Sequence, residues 1–182
     1  VSRKLNAQDG WTREIDLYVP VSAVAAWTKS TGSIESMLRF LTGDRWRVFF
    51  HDRTKRTRTL AVAPKRLALD GLTMVSLLSG GLDSLIGAVD LLSGSERPLF
   101  VSHYWDSETA KAQAYILDRL ENRFGKEAFK SLRVRLGFDK HHLTTGETEN
   151  TQRGRSFLFY SLATLAASAI NGRTAVDIPE NG

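Results

Sequence analysis

The hexapeptide Ser79-Gly80-Gly81-Leu82-Asp83-Ser84 constrains this chain more than any other stretch. An apolar run, Met74-Val75-Ser76-Leu77-Leu78, precedes it, and Leu82, Leu85, Ile86, Val89 and Leu92 follow at the spacing of one helix face. A short buried strand, a glycine pair and an amphipathic helix make the geometry of a phosphate-cradling turn. Gly80 and Gly81 reach backbone angles closed to other residues and, lacking Cβ, let a phosphate approach the main chain. The first helical turn leaves N–H groups unpaired at the positive end of the helix dipole. Ser79 and Ser84 add hydroxyl donors, and Asp83 can hold a magnesium ion that bridges phosphates. The turn contains no lysine. It is therefore not the loop whose Gly-Lys-Ser/Thr ending grips β- and γ-phosphates.

Composition narrows the class. At 182 residues, 42% apolar and 25% charged, the chain has the make-up of an ordinary globular protein of one or two domains. It has no cysteine, which excludes disulfides, thiolate zinc sites and a thiol nucleophile within these residues. The longest apolar-leaning run, 157–170, is interrupted by Ser161, Thr164 and Ser168 and is too short to span a bilayer. No signal peptide is visible, so the expected location is cytoplasmic, with no membrane contact. A start without methionine and an end at Pro179-Glu180-Asn181-Gly182, straight after a strand-like run, read as a piece of something longer. The net charge of +5 is uneven: residues 1–70 hold 13 Lys and Arg against 7 Asp and Glu, whereas residues 71–182 are almost balanced. The expected organisation is a basic α+β domain over 1–70 and an incomplete phosphate-binding domain over 71–182.

In the first domain, residues 13–19 alternate as a half-buried strand, with Ile15, Leu17 and Val19 on one side. Ser22 is expected to cap a helix over 23–27, and Ser33 another over 34–41 that stops at Gly43. Residues 45–51 alternate again, Trp46, Val48 and Phe50 facing in, and 57–63 reads as the antiparallel partner. Trp11, Trp27 and Trp46 are expected in the core. Between the last two strands, Arg53, Lys55, Arg56 and Arg58 put four cations in six residues. They read as a solvated hairpin tip with edge-protecting charges, or as a finger on nucleic-acid phosphates or an acidic partner. No aromatic residue is interleaved to stack on bases.

From residue 72 the rhythm becomes strand-helix-strand. Strands are expected at 73–78, 98–103, 132–136 and 174–178. Helices are expected from the glycine turn to about Leu92, from an Asp106 or Ser107 cap to Gly125, and over 152–170. The second helix carries Ala110, Ala114, Leu117, Leu120 and Phe124 on one face. The third is apolar on most faces, hence expected to be buried, and stops at Asn171-Gly172. Residues 138–151 read as a loop. This alternation predicts an α/β fold, a Rossmann-like parallel sheet with helices on both faces. Ligands bind such sheets at the carboxyl ends of the strands, beside the reversal in strand order. Three strand ends carry polar groups: the glycine turn, Ser102-His103-Tyr104-Trp105-Asp106, and Asp177 with Glu180 and Asn181. Arg153 and Arg155 open the third helix, where cations oppose the dipole; an anion partner explains them, as does plain surface placement. His141 and His142, near Glu147 and Glu149, fit no standard metal spacing and read as solvated loop.

Ser79–Ser84 resembles the S-G-G-x-D-S PP-loop of the N-type ATP pyrophosphatases. That superfamily cleaves ATP between its α- and β-phosphates, activates an oxygen as an adenylate, and lets a nitrogen or sulfur nucleophile displace AMP. Two further stretches narrow the resemblance to 7-cyano-7-deazaguanine synthase and its relatives in bacterial anti-phage defence operons. His103-Tyr104-Trp105-Asp106-Ser107-Glu108 is similar to the family's tyrosine-bearing segment, and Arg155-Ser156-Phe157-Leu158-Phe159-Tyr160-Ser161-Leu162-Ala163 to its arginine-led apolar helix. The likeness covers about 72–182. Trp105-Asp106 stands where the synthase has glycine-glutamine, and the Pro-Glu-Asn-Gly ending and the basic first domain lean towards the defence relatives. The family's zinc cysteines lie beyond the end of this chain.

The resemblance implies ATP and Mg²⁺ on Ser79, Gly80, Gly81, Leu82, Asp83 and Ser84, with the main chain near His103 and Tyr104 facing the adenosine. Arg153 or Arg155 would neutralise charge on the phosphates or on an attacking carboxylate of 7-deazaguanine type. An amine or ammonia would then give an amide, and a second round a nitrile, with a protein from the same operon as partner. Two other readings follow from the same residues: a tRNA-modifying PP-loop enzyme using the basic finger, and a subunit that binds ATP without chemistry.

Overall fold

The computed structural model describes residues 3–7, 9–54, 67–136, 153–171 and 173–179. Among these, the chain divides into two compact units, one built on residues 3–54 and the other on residues 67–136 and 155–179. The expected strand at 57–63, the cations Lys55, Arg56 and Arg58, the loop at 138–151 with its histidines, Gly172, and the Glu180 and Asn181 ending lie outside the described residues.

In the first unit, α1 (Arg3–Asn6) leads to β1 (Glu14–Val21), α2 (Val24–Lys29), α3 (Thr31–Thr42) and β2 (Arg45–Asp52). Among the described residues β2 pairs with β1, in parallel, from Glu14 opposite Arg45 to Val21 opposite Asp52. Two helices between the strands provide the long crossover that parallel pairing needs. Both expected caps are corrected. Ala23 precedes α2 without a side-chain cap bond, and Ser30 precedes α3, which leaves Ser33 inside the helix. Gly43 ends α3 in the left-handed conformation, as its position foretold. The tryptophans also depart from expectation. Trp11 is 68% exposed, under the Arg3 guanidinium, and Trp27 is exposed beside Phe50. Trp46 is half-buried and donates from Nε1 to Thr42 Oγ1 at 2.8 Å.

The unit is tied by Asp44, which is completely buried. Arg3 Nη1 donates to its Oδ1 at 2.9 Å, Arg13 Nε to Oδ1 at 3.1 Å and Arg13 Nη2 to Oδ2 at 2.5 Å; the Arg13 amide adds a further bond at 3.1 Å. Burial works against the charge. Hydrogen bonds from Arg13 and the Arg13 and Arg3 charges outweigh it and hold the carboxyl below the ordinary carboxylate range.

The second unit runs β3 (Met74–Leu77), α4 (Leu82–Ser93), β4 (Pro98–Tyr104), α5 (Ser107–Phe124), β5 (Lys130–Arg135), α6 (Arg153–Ile170) and β6 (Ala175–Asp177), α6 belonging to it from Arg155. The four strands are all parallel in the order β5-β4-β3-β6. Two connections step one way along the sheet and the third jumps back past β3, so right-handed crossovers place α6 on the face opposite α4 and α5. The two cores match that arrangement. Val75, Leu77, Leu99 and Val101 pack with Phe159, Ala163, Ala166 and Ala167 of α6. Leu78 and Phe100 pack with Ala88, Leu92, Ile116, Leu117, Leu120 and Phe129 on the other side.

Three helix faces differ from their sequence reading. On α4 the buried residues are Ser84, Ala88 and Leu92, with Leu85 and Val89 beside them, while Leu82 is 70% exposed and Ile86 is also exposed. On α5 the buried face is Gln113, Ile116, Leu117 and Leu120, and Ala114 is exposed. Among the described residues helix α6 packs through one face, and Phe157 and Leu165 lie exposed, as does part of Tyr160. Its Ser161, Thr164 and Ser168 hydroxyls bond to carbonyls one turn back, which satisfies them on an otherwise apolar surface. Among the described residues no helix is long and apolar enough to cross a membrane.

Replacing Asp44 by Asn removes the buried carboxylate that Arg3 and Arg13 share, and breaking this buried pair is expected to cost about 3 kcal/mol in urea unfolding. Because the folded carboxyl is depressed, its contribution is complete above the unfolded value of about 3.9 and is lost as pH falls through the lower folded value. The stability gap between wild type and Asp44→Asn should therefore hold at neutral pH and close only in acid.

Candidate functional site

Strand β3 is completely buried at Val75 and Ser76, and Leu78 continues it before the backbone turns at Ser79. Serine hydroxyls organise the turn. Ser79 Oγ donates to Ser84 Oγ at 3.2 Å, Ser84 Oγ accepts from the Gly80 amide at 3.3 Å, and Ser84 Oγ donates to the Gly81 carbonyl at 2.9 Å. Ser79 Oγ also accepts from the Gly81 amide at 3.3 Å. The α4 ladder begins with the Leu85 amide on the Gly81 carbonyl, at 3.2 Å. The amides of 82–84 are those a helix leaves without an intrahelical partner. Asp83 is half-buried in this first turn.

The two glycines have different reasons. Gly80 sits at φ +98°, and a Cβ there would lie 3.2 Å from Gln113 Cγ and 3.7 Å from Ala112 Cβ of α5. Backbone angle and helix packing both require glycine at this position. Gly81 is extended, at φ −89° and ψ 173°, and a Cβ would meet only Ser79 Oγ at 3.6 Å. Nothing in the fold demands glycine at 81. What its missing side chain leaves is open approach to the start of α4.

A cavity of about 180 Å³ lies where the strand order reverses between β3 and β6. Ser79 and Ser84 line it from the turn, Ser156, Phe159 and Tyr160 from α6, and Leu77, Ile178 and Pro179 from the sheet and its end. Of the residues singled out by sequence, the cavity gathers Ser79 and Ser84. The α6 side chains, quoted only for their resemblance, complete it. Gly87 closes one side: a Cβ there would lie 2.9 Å from Pro179 Cβ and Cγ, so the α4 backbone and the end of β6 meet because residue 87 has none. A glycine inside a helix was the available signal.

The end of β4 forms a separate cluster. His103 is buried, with Nε2 3.2 Å from the Leu136 carbonyl and its ring at 90° to Phe159, centroids 5.8 Å apart. Tyr104 points to the opposite face of the sheet, under the Arg133 guanidinium. The two side chains thus do not share a site, although their backbone does lie at the strand end. Arg155 stands 4.3 Å over the Trp105 ring and 5.9 Å from Phe159. Its position is explained by these aromatic faces. The Asp106 carboxyl caps α5 and is held below its usual range by the Thr109 amide, then by the Thr109 hydroxyl, with Arg155 a smaller contributor. Arg153 begins α6. Asp177 accepts from Ser76 Oγ at 2.9 Å, while the next two residues, not Asp177, reach the cavity.

Gly80→Ala is expected to cost on the order of 1–3 kcal/mol, through its positive φ and the crowding of Gln113. Gly81→Ala should stay within about 0.5 kcal/mol of wild type. Urea unfolding of both variants checks the contrast, and a large loss for Gly81→Ala would mean that the fold needs glycine there after all.

Compared with models of protein families, with curated proteins and with solved structures, the chain matches none.

Proposed function

We propose that the second unit binds ATP with magnesium at the Ser79–Ser84 turn and adenylates a carboxylate, of 7-deazaguanine type, with release of pyrophosphate. An amine or ammonia then displaces AMP to give an amide, and a further round a nitrile, in an anti-phage defence relative of 7-cyano-7-deazaguanine synthase. The observation that carries this reading is Gly81: an open, glycine-lined helix start, directly beside a cavity at the reversal of strand order.

The residues present fit such a nucleotide. Helix amides and the Ser79 and Ser84 hydroxyls are donors suited to phosphate oxygens. Among the described residues no cluster of three or more His, Cys, Asp or Glu is gathered. Magnesium needs none, because it keeps several waters and is held through one or two carboxylates together with the phosphates. Asp83 would supply that carboxylate, and the ion would withdraw charge from the phosphates as the α-phosphate is attacked. The turn's task is to fix the phosphates in line and to stabilise charge as it builds, which is positioning and electrostatics rather than covalent work. The aromatic wall of Phe159 and Tyr160 suits a planar substrate next to the serines.

One observation favours a second reading. Arg155, one of the two arginines expected on the phosphates or the carboxylate, rests on Trp105. A subunit that binds ATP for assembly with an operon partner, without turnover, needs no arginine at the phosphates.

Pyrophosphate and AMP release from ATP–magnesium, with 7-deazaguanine carboxylates offered, separates the two. The enzyme reading expects pyrophosphate, reduced about a hundredfold or more in Asp83→Ala. ADP and phosphate as products, or bound ATP without turnover, would sink it in favour of the nucleotide-binding subunit.

A further inference from the structure

Gln113 lies on the buried face of α5, at a position where the spacing 113, 116, 117, 120 calls for an apolar residue. It is completely buried. A primary amide in such a place is costly unless its hydrogen-bonding groups are used. Its Nε2 donates to the Ser79 carbonyl at 3.2 Å and to the His103 carbonyl at 3.0 Å. Both neighbours only accept, so the NH2 end must be the one that faces them. Its Oε1 is buried with no partner among the described residues. One orphaned acceptor is thus exchanged for two satisfied backbone carbonyls, which leucine at 113 would have left bare.

The two carbonyls belong to segments that are leaving the sheet. The β3–β4 pairing runs to Leu77 opposite Val101, followed by the Leu78 amide on the Val101 carbonyl at 2.9 Å and by Ser102 Oγ on the Leu78 carbonyl at 2.7 Å. Gln113 ties the two chains together one step further on. The Ser79 carbonyl also shares a rigid peptide plane with the Gly80 amide. One end of that plane is held by Gln113 and the other by Ser84 Oγ. The missing Cβ of Gly80 is what lets Gln113 come close enough.

We propose that Gln113 is the positioning residue of the Ser79–Ser84 turn, fixing the direction in which the turn's N–H groups meet a phosphate; its bearing on nucleotide affinity rests on the ATP reading above. Gln113 acts through the backbone of the turn and touches no ligand itself. Its hold on the turn is a property of the chain alone and is measurable without nucleotide.

The first test uses the wild-type 182-residue chain. Both Gln113 side-chain amide protons should exchange slowly with solvent by NMR, as protons held by two buried carbonyls do. Exchange at the rate of a free side-chain amide overturns the proposal. Gln113→Met and Gln113→Glu then keep the length of the side chain and remove the donors. At a temperature where circular dichroism shows both folded, the amides of 80–84 should exchange about tenfold faster or more, while those of β4 hold their rates. ATP–magnesium affinity, by calorimetry, should fall about tenfold or more, with Gln113→Glu no better than Gln113→Met although it is closer in shape. A lower melting temperature with turn exchange unchanged would make Gln113 an ordinary core residue and end the proposal. If the wild-type chain binds no ATP, the ATP reading fails, and the exchange of the turn amides still decides the role of Gln113.

Discussion

Parallel pairing of β3 between β4 and β6 is the constraint from which the second unit follows. A parallel sheet has to be covered on both faces, because its crossovers are helical and its central strands leave no side facing water. Two consecutive right-handed crossovers fill one face with α4 and α5, and only a jump back across β3 delivers α6 to the other. That jump leaves two strands side by side whose connections depart to opposite faces. The crevice over their carboxyl ends is a product of topology, and the cavity beside Ser79 occupies it.

The turn in that crevice is held from below and open from above. Below it, Gln113 and Ala112 fill the space a Gly80 side chain would need, and the strand-end carbonyls are tied together. Above it, Gly81 leaves the start of α4 accessible. A recognition surface made of backbone N–H groups has no side-chain rotamers to lock, so its precision depends on what supports the peptide planes. The serine bonds within the turn and the α5 amide beneath it supply that support.

Much of this was legible in the residues, and the misses have physical reasons. The strand-turn-helix unit around Gly80 and Gly81, the α5 cap at Asp106 and the stop at Gly43 are local, set by backbone angle and nearby hydrogen bonds, and a sequence displays such features directly. The partner of β2 is a long-range property. Alternation in 45–51 marks a strand but says nothing of its neighbours: the parallel pairing with β1 went unread, while the expected antiparallel partner, 57–63, lies outside the described residues. Helix faces were read from apolar spacing alone, which put Leu82 and Ile86 inwards and overlooked Gln113. Once a serine and a glutamine are buried for their hydrogen bonds, the true face rotates towards them. The glycine pair was given both its reasons jointly, whereas the special backbone angle belongs to Gly80 and the open approach to Gly81. The expectation for His103 and Tyr104 concerned their main chain, at the strand end, and their side chains point to opposite faces as adjacent strand residues do. Ser156, Phe159 and Tyr160 received no site role because nothing in a helix sequence tells which of its sides meets the reversal in strand order.

The Asp44 node changes how the basic character of the first unit should be weighed. Arg3 and Arg13 are directed inwards onto one carboxylate, and Arg45 and Arg47 lie across the sheet from Glu14 and Asp16, their registered neighbours. Four of the cations counted in residues 1–70 are therefore matched by three of its carboxylates, and nearly all of the formal surplus belongs to the other cations. A polyanion that comes within the roughly 8 Å left unscreened by physiological salt would meet that surplus on those other cations and not on the paired arginines.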